Sequence, residues 1–453
     1  MQADPFVDAP DFAELRRHLG AQRAPALLLS AAAGPQGRFD LLPLTDAPPL
    51  VVPYPGHPEY AQHLAAFAQQ LRELKVGSTL DSGDLFASGW LLYLAYDFGA
   101  VFEPSVPLKA PELDEPLALL WRVPAALVRD RVSGQCELVG EDRQLWRGRL
   151  AEAMAAGATT TSSGASPEIQ APGSGTADLA VSEDDPQGFL DGVARIHDYL
   201  VAGDVFQVNL SRAWRGLADQ PIDLDSLFAR LSAANPAPFA ALLSHGAWGL
   251  ASSSPERLVS VRGHRVDTRP IAGTRRRDMD PAIDARLLAE LQRDPKERAE
   301  HIMLIDLERN DLGRVCVPGS VTVDELGAVE SYAHVHHLVS NVSGRLRDDV
   351  SLWSLLRALF PGGTITGCPK VRCMQIIGEL EPVGRGAYTG ALGYVGDDGS
   401  LDLNILIRTI SVAGERLLLR AGAGIVADSI ASRELNETRA KALGMLRALG
   451  NAA

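Results

Sequence analysis

Apolar residues near the C-terminus recur at helical spacing. Wound at about 100° per residue, Leu435, Ala442, Leu446 and Leu449 form one stripe. Glu434, Glu437 and Lys441 fall within roughly 60° of one another, on a face centred roughly 110° to 120° from that stripe. The pattern predicts a closing helix that packs one face and presents two carboxylates and an ammonium on another. A second helix is predicted from Asp294, an N-cap followed by Pro295 at the first helical position, through Leu307 to a stop near Asn310–Gly313. Glu297 and Glu300 share one face of it, and the chain becomes strongly apolar just after them.

Elsewhere short apolar runs alternate with Pro and Gly. Pro25–Leu29, Leu117–Val128, Val205–Leu210, Phe239–Leu243, Trp248–Ser252, Leu258–Val261, Gly390–Val395, Leu401–Ile410 and Arg416–Ala421 read as strands. Pro58–Leu74 reads as a helix, and Ser182 as the cap of another that carries Phe189, Val193, Ile196 and Leu200. Strands come in runs rather than in strict βαβ alternation, which predicts an α+β fold of large antiparallel-rich sheets flanked by helices. Residues 155–181 are mostly Ala, Ser, Thr, Gly and Pro and read as a flexible loop or linker. It divides an N-terminal α/β region, 1–154, from a catalytic domain at 182–453.

Composition narrows the class. A chain of 453 residues with 46% hydrophobic and 22% charged residues is that of a globular protein. Its net charge of −14, with no basic block, argues against nucleic acid as a partner. Cys136, Cys316, Cys368 and Cys373 form no CxxC pair and no zinc spacing, so reduced thiols in the cytosol are expected. No apolar run approaches 18 residues and the acidic start lacks a signal-peptide pattern, so the expectation is a cytoplasmic protein without a membrane partner.

Two carboxylates three residues apart can share a hard cation such as Mg²⁺, and two such pairs on two helices point to a common one. Taken alone, the Glu437–Lys441 spacing is an i,i+4 surface pair worth a few tenths of a kcal/mol. Pro361–Lys370 is glycine-rich but lacks the GK[ST] of a phosphate loop, and Gly422-Ala-Gly424 lacks the third glycine of a dinucleotide fingerprint. Both read as tight turns between strands, or as loops whose N–H groups bind an anion. Arg408 stands inside an apolar strand pattern, where a guanidinium needs an anionic partner. His336 and His337, before an apolar run, read as structural. Together these groups suit a small polyanion bound through Mg²⁺.

Several motifs then carry a resemblance. Ser254-Pro-Glu256-Arg257, Arg269–Thr274, Ile305–Arg314, His337–Ser340, Gly363–Lys370 and Gly422–Asp428 occur in the order found in chorismate-utilising enzymes, over roughly 185–450. Gly203–Ser211, Pro361–Thr366, Arg38–Asp40 and Tyr96–Gly99 are most similar to the aminodeoxychorismate synthase component I branch. The resemblance implies Mg²⁺-dependent replacement of the C4 hydroxyl of chorismate by ammonia, in p-aminobenzoate and folate synthesis. It implies that Glu297, Glu300, Glu434 and Glu437 hold the metal, and that Glu256 is the general acid with His337 nearby, in a catalytic set that includes Thr274. Gln207, Thr364, Tyr388, Arg408, Gly422, Gly424 and Lys441 would position the substrate. Gln207 stands where relatives that use water carry a lysine. Ala272 replaces the lysine with which this branch often attacks C2, and there the chain is similar to anthranilate synthases instead. The sequence lacks an amidotransferase cysteine motif, so ammonia is expected from a separate glutamine amidotransferase subunit. The alternatives are anthranilate synthase component I and a non-catalytic, anion-binding regulatory subunit.

Overall fold

The computed structural model describes residues 4–5, 11–32, 37–77, 86–161, 179–332 and 335–451. Among them, strands form a 12-stranded and a 10-stranded sheet, and every ladder within both is antiparallel. The expected α+β architecture is what the chain adopts. One core lies between the sheets and joins Leu243 and Leu250 of the larger to Leu91, Leu92 and Leu403 of the smaller. A second fills the space between the outer face of the larger sheet and helices that supply Phe12, Trp146, Leu227, Leu231, Ala442 and Met445. Each such fully buried side chain contributes roughly 1.5–3 kcal/mol.

Residues before 155 supply strands to both sheets: Ala26–Leu29, Phe39–Leu44 and Ala125–Asp130 to the larger, Leu50–Val52, Gly89–Leu94 and Ala118–Val123 to the smaller. The boundary drawn at 154 therefore separates no sheet from another. Residues 155–161, expected in a loop, continue the Arg143–Thr161 helix, as their alanines favour. Residues 162–178 of the expected linker lie outside the described residues, and Val181–Glu183 is a strand paired with Gln207–Leu217. Ser182 caps nothing. Asp185 accepts from the Gln187 amide and opens the Pro186–Ala202 helix, which Gly203 closes at φ 79°.

Two runs expected as single strands each divide between the sheets. Leu117–Val128 breaks at Pro124, where a missing N–H interrupts the ladder. Leu401–Ile410 becomes Leu401–Ile405 in the smaller sheet and Thr409–Ala413 in the larger. Trp248–Ser254 and Arg257–Arg262 make the same crossing at Pro255-Glu256. These last two crossings lie side by side: the Ile405 amide donates to the Glu256 carbonyl at 3.0 Å, and the Ser253 amide to the Arg408 carbonyl at 3.1 Å. A pair of adjacent strands thus leaves one sheet and enters the other together, bringing Glu256 and Arg408 to the gap between them.

Candidate active site

Glu256 is buried, and its Oε1 accepts from the Thr364 hydroxyl at 2.7 Å. Burial pushes its carboxyl up to about 7, while the Thr364 hydrogen bond and the nearby Lys441 and Arg408 charges pull the other way. Desolvation lowers Arg408, and Glu256 is its opposing charge. Arg408 is therefore not inside a strand. It occupies the crossing itself at φ 52°, an uncommon conformation for an arginine, because the chain must turn there from one sheet to the other.

His337 is buried on the Val335–Arg345 strand directly opposite Thr274, whose hydroxyl lies 2.8 Å from Nδ1. Burial, with Arg408 and His336 adding to it, pushes the imidazole down to about 3, so it is neutral at physiological pH. Its Nε2 has no hydrogen-bond partner among the described residues. His336 does have the structural role expected of it, spanning Ser331 (2.7 Å) and Asp284 (3.1 Å). Ala272 and Gly273 lie between Ile271 and Thr274, where the strand register shifts against its neighbour. A Cβ on Gly273 would meet Glu297 Oε2 at 2.8 Å, so position 272 lies one residue from a helix carboxylate and two from the His337 partner.

The glycines of 422–424 are not in a turn. They belong to the Arg416–Ile425 strand, where Gly422 pairs with Ser211 and Gly424 with Asn209. Glycine is needed because side chains cross above them. A Cβ on Gly424 would stand 2.3 Å from Gln207 Nε2, and one on Gly422 would stand 2.6 Å from Asn209 Oδ1 and 2.7 Å from the Tyr388 hydroxyl. Gln207 Oε1 and Asn209 Oδ1 are buried and lack donors among the described residues. Two residues apart on one strand, they face the same side. Residues 361–370 keep their loop character around a short helical turn at Gly363–Ile365 and a two-residue strand at Gly367–Cys368.

The two acidic helices form as expected, at Pro295–Gly313 and Ala431–Ala448. Among the described residues, no group of three or more His, Cys, Asp or Glu side chains is spaced to hold a metal ion. The four glutamates expected to share one cation instead have protein contacts. Glu297 pairs with Arg275 (2.8 Å), Glu300 accepts from Gln207 (3.0 Å) and Glu437 pairs with Lys441 (2.7 Å), while Glu434 is buried. Arg275 was not foreseen from the sequence. In kind the four carboxylates are hard oxygen donors of the sort Mg²⁺ takes, and each helix reaches the Gln207–Leu217 and Arg416–Ile425 strand pair by one side-chain hydrogen bond. Gln207 reaches Glu300 above Gly424, and Lys441 donates to the Gly422 carbonyl at 3.0 Å.

Sequence reasoning also missed Glu308 and Asp311. They sit one turn apart on the first helix, at the same spacing as Glu297 and Glu300, which was the available signal. Both are buried, with Lys370 bonded to Asp311. Burial and Asp311 push Glu308 up to about 8. A separate cavity of about 190 Å³, lined by Leu28, Ser30, Phe239, Arg257, Tyr394 and Asp402 among others, includes none of the expected site residues.

Two large antiparallel sheets, with a buried protonatable carboxyl where adjacent strands cross between them, define the class. A model of the chorismate binding enzyme family matches residues 25–447, and the chain belongs to that family. It is 42% identical over 368 residues to an anthranilate synthase component I-like protein of Synechocystis sp., covering 80% of this chain and 73% of the relative. It is 40% identical over 391 residues to aminodeoxychorismate synthase component 1 of Bacillus subtilis, covering 85% and 82%. The solved anthranilate synthase component I from Streptococcus pneumoniae superposes with a TM-score of 0.76 at 29% identity, covering 91% of this chain and 93% of that one. The protein is a chorismate-utilising enzyme.

Gly424→Ala tests the placement of Gln207. Because the crowded atom is the end of a flexible side chain, the variant should fold, while the Gln207 amide is pushed away from Glu300. Displacement of a positioning group by about 1 Å can lower rate by about 10²-fold. A loss of that order in kcat/KM for chorismate, with an unchanged melting temperature, is expected; wild-type kinetics would remove Gln207 from the site.

Proposed function

We infer that this chain aminates chorismate at C4, as aminodeoxychorismate synthase component I does, with ammonia from a separate glutamine amidotransferase subunit. The observation that carries the reading is Glu256, a buried carboxyl near neutrality that accepts from Thr364 and feels the Lys441 and Arg408 charges. Such a group still carries its proton in a good share of molecules near pH 7 and can deliver it to a poor leaving group. The C4–O bond breaks as Glu256 passes its proton to the departing hydroxide, which leaves as water. Ammonia forms the new C–N bond, and the ammonium proton returns to the Glu256 carboxylate. Arg408 and Lys441 would meet the substrate carboxylates, and the neutral His337 ring, held at Nδ1 by Thr274, would offer Nε2 to the substrate. Gln207, an amide rather than a water-activating lysine, favours ammonia as the nucleophile.

Mg²⁺ would be held by Glu297, Glu300, Glu434 and Glu437. When bound, it would neutralise a substrate carboxylate and withdraw electrons from the ring. Similarity to the Bacillus subtilis relative over most of both chains supports the C4 reading. A second reading, anthranilate formation by attack at C2 and loss of pyruvate, is favoured by Ala272, which stands where the other branch carries its lysine amine.

Incubating the purified chain with chorismate and an ammonium salt, with and without MgCl₂, decides between them by product mass and fluorescence. The expected product is 4-amino-4-deoxychorismate, formed only with Mg²⁺. Anthranilate would establish the second reading, and chorismate binding without turnover would establish a regulatory subunit. Ala272→Lys should raise the share of C4 product if anthranilate is formed by the unaltered chain.

A further inference from the structure

The buried Arg385 guanidinium bonds to the parts of the chain that carry three separate groups of site residues. It donates to the Asn209 carbonyl at 2.7 Å, to the Ile365 carbonyl at 3.2 Å and to the Thr389 hydroxyl at 3.3 Å. Asn209 is two residues from Gln207, Ile365 adjoins Thr364, and Thr389 adjoins Tyr388. Glu381 supplies the counter-charge at 2.7 Å. The N-terminal third seats the residue. The Tyr96 ring lies 4.6 Å from the guanidinium carbon, and Asp97 accepts from the Arg385 amide (3.2 Å), the Gly386 amide (2.8 Å) and the Tyr54 hydroxyl (2.9 Å). Thr389 is held at φ 62°, an outlier for a β-branched residue, by the Arg385 bond and by donation of its amide to the Leu406 carbonyl at 2.7 Å. Such strain persists where surrounding structure over-determines it, and it gathers at functional sites.

We propose that Arg385, seated by Tyr96 and Asp97, is a positioning residue that fixes the Gln207–Asn209 strand, the Thr364 turn and the Tyr388 loop against one another. A planar fork can serve three acceptors in fixed directions, which a lysine cannot. The catalytic consequence runs through Thr364 and so rests on the reading of Glu256 as the acid. If Ile365 is released, the Thr364 hydroxyl leaves Glu256 and its downward pull on that carboxyl is lost.

The test is Arg385→Lys, which keeps the charge opposite Glu381 and so the fold, compared with Thr364→Val and the double variant. Amide hydrogen exchange should rise together in 207–211, 363–366 and 385–390 in the lysine variant. The alkaline limb of its pH–kcat profile should move up by about half to one pH unit, the worth of one hydrogen bond to a carboxylate. Thr364→Val should give the same shift, and the double variant no more. Exchange confined to 385–390 overturns the proposal, as does a limb that moves in Thr364→Val but not in Arg385→Lys. If the limb stays fixed even in Thr364→Val, the acid role of Glu256 fails, and the exchange pattern alone decides whether Arg385 ties the three segments.

Discussion

Glu256→Gln should lower kcat by about 10² to 10⁴-fold, the range for removing a general acid, with chorismate affinity changed no more than a few-fold. The amide keeps the shape of the carboxyl and its contact with Thr364 but carries no proton to give. In the unaltered enzyme, Glu256 must be protonated to act and titrates near 7, so turnover should be full below that pH and fall as pH rises through it. The variant should show a residual rate without that limb. Its position follows from opposed effects. Burial favours the neutral acid, whereas Thr364, Lys441 and Arg408 favour the anion. Stopped rates and a binding isotherm measured on the same preparation check both halves. A variant running at normal rate would remove Glu256 from the chemistry, and one that no longer binds would make it a ligand group instead.

Glu381→Gln should destabilise the fold by about 3–5 kcal/mol, the usual result of removing one partner from a buried ion pair. That is a large share of the roughly 5–15 kcal/mol that holds a typical protein folded. Glu381 is buried between Arg385 and Arg420, each at 2.7 Å, and also accepts from the Ser211 amide and hydroxyl at 3.0 and 2.9 Å. Without its charge, two buried guanidiniums face each other uncompensated. Burial by itself would raise this carboxyl, but the two arginines outweigh it and hold it below the usual range. The sign follows: a depressed folded value stabilises above the unfolded carboxyl's pKa of about 4.3 and is lost as pH falls through the folded value. Urea titrations at pH 7 and in acid should show a deficit in the variant that narrows in acid. Equal deficits at both would mean that Glu381 acts through shape, not charge.

The acidic helices were legible because their signals are local. An N-cap with proline after it, an apolar stripe and glutamates three residues apart all lie within one segment, and both helices formed close to the expected bounds. Lys441 was legible from the helix face it shares with Glu434 and Glu437, Glu256 only through motif resemblance, and the structure adds their electrostatics. Arg408 was recognised as a buried charge, yet its setting was misread, since a continuous apolar run gives no sign that a chain is changing sheets. The same blindness merged the strands on either side of Pro124. Gly422 and Gly424 read as tight turns or anion-binding loops, because glycine in a sequence shows only that a side chain is unwelcome. Here the obstacle is Gln207, Asn209 and Tyr388, drawn from far away along the chain. Arg385 showed only an i,i+4 spacing to Glu381, which reads as an ordinary helix pair, while its bonds to the Asn209 and Ile365 carbonyls come from distant segments.

The sequence by itself determined which residue types are available, which segments are helical and which periodicities must be buried, since these depend on neighbours within a turn or two. Tertiary structure alone decided that two strand crossings run side by side, so that an acid and an arginine 152 residues apart in numbering, 256 and 408, come to neighbouring crossings between the sheets. It also decided that one carboxylate-bearing helix reaches the Gln207 strand through Glu300 and the other reaches the Gly422 strand through Lys441. Desolvation and charge pairing, which set protonation and binding, exist only once the two sheets have closed over those groups.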